Sequence, residues 1–131
     1  MACTELAGKT VLVVDDEPEM PFLIKRLLAS FDCQVLTASN SLEAHELYDK
    51  HRAEMALVIT DVMMPDINGI ELIKSLRLRH SRVPVIVVSG LAIKAGLAND
   101  IDEANINAWL SKPFSGTSFK QMINDLLCED E

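Results

Sequence analysis

The sequence contains no apolar run approaching the ~20 residues that a membrane-spanning helix needs, and its opening stretch, MACTELAGK, has no apolar core of the kind a secretory leader carries. Glycine is scarce, with five in 131 residues, and no glycine-rich loop follows the first apolar run to cradle a nucleotide or flavin phosphate. Cysteine is limited to Cys3, Cys33 and Cys128, an odd set without CxxC or metal-ligand spacing. That pattern fits reduced thiols in a cytosol, not a disulfide framework or a zinc site. Positive charge is short as well: 12 Lys and Arg against 20 Asp and Glu leave a net charge of −8. So acidic a surface repels nucleic acid and anionic lipid, which argues against direct DNA binding or membrane association. No repeat, low-complexity stretch or linker divides the chain. These absences leave one soluble, cytoplasmic domain over residues 1–131, expected as a monomer or weak dimer. With 49% apolar residues it has enough to bury a core.

What is present alternates. Val11 to Val14, Val35 to Ala38, Ala56 to Ile59 and Val83 to Val88 are apolar, β-branched runs, and Ala108 to Leu110 is a shorter fifth. Strands apolar throughout predict a parallel sheet covered on both faces. Between them, Met20, Leu23, Ile24, Leu27, Leu28 and Phe31 recur at helical spacing, as do Ile70, Ile73 and Leu76, and Phe119, Met122, Ile123, Leu126 and Leu127. Asn40 and Glu43 have the spacing of a capping box for a helix through about His51. Ile93, Leu97, Ile101 and Ala104 mark a weaker helix. The expected architecture is α/β, (βα)₅, an open doubly wound five-stranded parallel sheet.

The polar residues follow the strands. Asp15 and Asp16 come after the first, Asp61 after the third, Ser89 after the fourth and Lys112 after the fifth. In open parallel sheets, sites form beyond the carboxyl ends of the strands, where strand order reverses. Carboxylates gathered there repel one another, and a hard divalent cation such as Mg²⁺, with Mn²⁺ as a substitute, relieves that repulsion. Asp61 can then attack phosphorus as a nucleophile. The Lys112 ammonium and the Ser89 hydroxyl suit two other oxygens of the transferring group.

Four segments now carry a family resemblance. Val11-Leu-Val-Val-Asp-Asp-Glu-Pro, Ile59-Thr-Asp-Val-Met-Met-Pro-Asp-Ile-Asn-Gly, Val87-Val-Ser-Gly and Trp109-Leu-Ser-Lys-Pro-Phe resemble, in order, the motifs of response-regulator receiver domains, the CheY-like modules of two-component signalling. The resemblance runs from about Lys9 to Leu127. It implies a flavodoxin-like strand order 2-1-3-4-5, and phosphorylation by a histidine kinase or histidine phosphotransfer protein. It makes Asp61 the phosphoacceptor, Asp16 a direct metal ligand, Asp15 a ligand through water, and the Met63 backbone carbonyl a further ligand. Ser89 matches the switch hydroxyl, Lys112 the invariant lysine and Trp109 the aromatic switch position. The implied protein is no enzyme in the ordinary sense: it catalyses only its own phosphotransfer and dephosphorylation, and it controls an effector that the sequence does not name. Two departures stand out. Trp109 occupies a position that is commonly Tyr or Phe, and Asn105 one that is often Gly.

Each residue also has a plainer reading. Asp15 and Asp16 could cap the first helix, Ser89 could be a loop hydroxyl, Lys112 a solvated charge, Met63 a packing residue and Trp109 a core aromatic. At the level of function, two other classes compete. A Mg²⁺-dependent phosphohydrolase with an aspartyl-phosphate intermediate usually carries an Asp-x-Asp pair directly after one strand and space for a cap domain, and this chain has neither. An interaction domain that keeps the fold without the switch would need a defect outside the five polar residues named.

Overall fold

Successive Val and Ile, with Thr, favour extended chain, because branching at Cβ restricts the side chain least on a pleated surface. The first such run becomes β1 (Thr10–Val14), all five residues buried. The computed structural model describes residues 6–61, 69–78, 83–89, 108–111 and 114–127. In it β1 is joined by β2 (Gln34–Ala38), β3 (Met55–Asp61), β4 (Val85–Ser89) and β5 (Ala108–Ser111). The four helices described are α1 (Glu19–Leu27), α2 (Ser41–Lys50), α3 (Gly69–Leu78) and α4 (Gly116–Leu127). All neighbouring strands run parallel, in the order β2-β1-β3-β4-β5 expected of the family.

Period two divides each central strand between two cores. Val11 and Val13 of β1, Leu57 and Ile59 of β3, and Ile86 and Val88 of β4 share one core with Ile24 of α1 and Phe119 and Ile123 of α4. Leu12 and Val14, Val58, and Val85 and Val87 share the other with Ala44 and Tyr48 of α2 and Leu72, Ile73 and Leu76 of α3. Burial on both faces is why these strands read as continuous apolar runs. β2 departs from that expectation. It is the sheet edge, with Gln34 and Thr37 exposed and only Ala38 fully buried, because one side of it has no strand to cover it.

One helical expectation is also adjusted. The apolar spacing from Met20 to Phe31 is continuous, but α1 stops at Leu27 and a short 3₁₀ turn, Ala29–Phe31, follows. Asp32 then adopts a left-handed conformation with φ 59°, which Asp tolerates better than most residues and which turns the chain into β2. The expected helix through Ile93 and Ala104 lies outside the described residues. Ser115 is a cap that the apolar spacing does not reveal: its Oγ accepts a hydrogen bond from the Ser118 N–H at 3.0 Å, opening α4.

At the amino end of the strands, Leu6, Lys9, Glu54, Pro84 and Leu127 line a cavity of about 260 Å³. The first and last described elements therefore meet at the rim opposite the carboxyl ends of the strands. No helix among the described residues is long and apolar enough to cross a membrane.

Candidate functional site

Strand order reverses between β1 and β3, and there the register sets Val14 opposite Thr60. The next residue along each strand is an aspartate, so Asp15 and Asp61 emerge side by side at the carboxyl end. Asp15 is pinned twice. Its N–H donates to the Ala38 carbonyl oxygen at 3.0 Å, and its Oδ1 accepts from the Glu17 N–H at 2.9 Å. Asp61 is held by the last turn of the β3 ladder, where the Thr60 hydroxyl donates to the Asp61 carbonyl oxygen at 2.9 Å. Asp15 is 3% exposed and Asp61 8%, whereas Asp16 faces solvent.

One carboxylate oxygen from each of Asp15, Asp16 and Asp61 lies within 4.8 Å of the others. Two like charges at that spacing repel by about 3–4 kcal/mol at an effective dielectric near 20. The set is uniformly hard oxygen, which suits Mg²⁺ or Mn²⁺ over softer metals. Oxygens bound to Mg²⁺ at about 2.1 Å stand roughly 3–4 Å apart, so modest side-chain rotation brings these carboxylates onto one ion. The donor set fits a divalent cation.

β3 and β4 extend the same end of the sheet. Asp61 pairs with Val88, so Ser89 is one step further along, and Ser89 pairs with Ser111 of β5. Lys112 is the next residue in the chain. The backbone positions of Ser89 and Ser111 thus converge on the end that carries Asp61. The Ser89 side chain, Lys112 and Met63 lie outside the described residues. Trp109 is half-buried in β5, opposite Val87, and packs against the core beneath α2 and α3.

Sequence reasoning missed a groove beside the carboxylates. It encloses about 480 Å³ and runs from Asp15 and Asp16 across the end of β2, between α1 and the first turn of α2. Phe22 and Lys25 line one wall, Ser39 and Glu43 the other. Glu43 had a purely local reading as a capping partner, and Phe22, which falls outside the helical spacing of Met20, Leu23, Ile24 and Leu27, is 64% exposed. An outward-facing aromatic next to a polar loop was the available signal. A separate cavity of about 570 Å³, between Ala108 and the outer face of α4, holds none of the carboxylates.

Comparison with known proteins follows the same line. A model of the response regulator receiver domain family matches residues 11–124. A chemotaxis protein CheY homolog from Campylobacter jejuni is 33% identical over 120 residues, which is 89% of this chain and 91% of that protein. The 3',5'-cyclic-nucleotide phosphodiesterase regA of Dictyostelium discoideum is 33% identical over 119 residues, 89% of this chain but only 15% of that much longer protein. Among solved structures, a response regulator receiver domain protein from Clostridium thermocellum superposes with a TM-score of 0.81 at 27% identity, covering 91% of this chain and 94% of its own.

Proposed function

This chain belongs to the response regulator receiver domain family, a phosphoacceptor module of two-component signalling, and from that premise we propose that Asp61 is the residue phosphorylated. The observation that carries the proposal is the cluster itself: a carboxylate at the end of β3, within 4.8 Å of two others, at the point where strand order reverses. In this reading, Asp16 and Asp61 hold Mg²⁺ or Mn²⁺ directly, Asp15 holds it through water, and the Met63 carbonyl completes the protein ligands. When bound, the cation neutralises charge on the oxygens of the transferring group.

The protein's own groups do the rest. A carboxylate oxygen of Asp61 attacks phosphorus in line, and the bond from phosphorus to the donor's imidazole nitrogen breaks as the new O–P bond forms. A carboxylate nucleophile has no proton to lose, so the step needs no general base. Lys112 supplies positive charge on another side, and the Ser89 hydroxyl donates a hydrogen bond to a third oxygen. That hydrogen bond draws β4 toward the phosphoryl group, and Trp109 on the adjacent strand registers the movement. Ser89 and Trp109 together form the switch that an effector reads.

The donor is a histidine kinase or histidine phosphotransfer protein. The chain turns over no external substrate beyond its own phosphorylation and dephosphorylation. We read residues 1–131 as one domain with a core over about 9–127, cytoplasmic, and monomeric or weakly dimeric. Incubation with phosphoramidate and Mg²⁺ should add one phosphoryl group to the intact mass, and Asp61→Asn should abolish the addition, since an amide is not a competent nucleophile. Full labelling of that variant would sink the assignment.

A further inference from the structure

Resting on the reading of Asp61 as acceptor, we propose that the groove between α1 and α2 selects the protein phosphodonor by receiving one of its cationic side chains against Glu43. A protein that delivers a phosphoryl group to Asp61 has to cover it. Stable interfaces bury about 800 Å² on each partner, a disc roughly 16 Å in radius. The groove begins at Asp15, whose carboxylate is within 4.8 Å of that of Asp61. A disc of that radius centred on Asp61 therefore takes in the near end of the groove.

Its charges are fixed in place. Glu43 Oε1 accepts from the Ser39 N–H at 2.7 Å and from the Ser39 hydroxyl at 3.1 Å, while the Glu43 N–H donates to Asn40 Oδ1 at 2.8 Å. Those bonds hold one carboxylate oxygen and leave Oε2 to a partner. A divalent cation shared by Asp15, Asp16 and Asp61 offsets two of their three charges, and Glu43 is the groove carboxylate that lies outside that cluster. On the facing wall stands Lys25, and among the described residues no ion pair joins the two. Phe22, 64% exposed with the Arg26 guanidinium 5.8 Å from its ring centroid, offers apolar area at the rim. A fixed carboxylate beside an exposed aromatic is complementary to a donor that presents a Lys or Arg next to an apolar side chain. A donor with an acidic residue at that place is repelled.

The test uses the full chain and a purified histidine kinase, phosphorylated on its histidine and chosen from a panel because it phosphorylates the unmodified protein. Glu43→Gln keeps an acceptor for the Ser39 N–H, so the α2 cap survives and only the charge is lost. Phosphotransfer from the kinase should then fall roughly five- to tenfold in kcat/KM and lose part of its salt dependence. Labelling by phosphoramidate should stay unchanged. Unchanged transfer from the kinase would overturn the proposal, as would an equal loss with phosphoramidate, which would trace the effect to the acceptor site itself. A panel in which no kinase transfers to the unmodified chain would overturn it too. Failure of phosphoramidate to label the unmodified chain would instead remove the Asp61 reading.

Discussion

Cys33 enters β2 half-buried, its Sγ 3.9 Å from the Leu28 carbonyl oxygen. Burial pushes its thiol up, with the nearby Asp32 charge adding to the effect and a backbone hydrogen bond opposing it. A raised thiol keeps its proton in the fold after the unfolded chain has lost it near pH 8.5. Unfolding then releases a proton, so stability falls as pH rises through that region and is untouched below it. The stability gap between the unmodified protein and Cys33→Ala, measured by urea unfolding in reductant, should narrow from pH 7.5 to pH 10. A constant gap would show that the thiol titrates alike in both states. Nothing in the sequence around Cys33 announces this, because the cause is packing behind the residue. Asp15 and Asp16 make the same point at the site. They are adjacent and identical in type, yet only the turn after β1 decides that the first is buried and pinned while the second meets solvent.

Among the elements, α2 shows best what sequence spacing can and cannot specify. Asn40 and Glu43 were legible as a capping pair, and Asn40 Oδ1 does accept from the Glu43 N–H. The return bond, however, goes to the N–H of Ser39, one residue earlier than a capping box requires. Asn40 is fully extended, with φ −156° and ψ 172°, and that backbone angle, invisible in the sequence, decides which amide the carboxylate meets. Asn40→Ala should cost about 1 kcal/mol in chemical denaturation, and Asn40→Asp should recover most of it. A loss below experimental error would show that α2 is held by its buried face alone. The central strands were legible because two-sided burial fills their middles with apolar residues, although β4 begins at Val85 and not at the expected Val83. β2 was less so, since its place at the edge follows from strand order, not from its own residues. The turn that leads from the 3₁₀ segment after α1 into β2 depended on a left-handed Asp32, which apolar spacing does not encode.

Across the whole molecule, the sheet gathers residues from distant parts of the chain at one end, and three of the candidate site residues, Asp15, Asp16 and Asp61, meet there as the motif order implied. The cluster should make stability respond to metal. Three carboxylates relieved by a cation favour the fold by mass action, about 2.7 kcal/mol when Mg²⁺ reaches a hundredfold excess over its Kd. Thermal unfolding should shift upward with Mg²⁺ for the unmodified protein and much less for Asp16→Ala, while a matching series in NaCl separates binding from screening. Equal shifts in the two proteins would place the ion elsewhere. Lys112 was named from its place after the fifth strand and Met63 from the motif alone, and both lie outside the described residues. The cavity at the amino end has a different kind of consequence. Leu6 and Leu127, the first and last described residues, line it together, at the end of the sheet opposite the three carboxylates. Segments attached at those two residues would be held side by side, and neither would have to cross the end of the sheet that carries the three carboxylates.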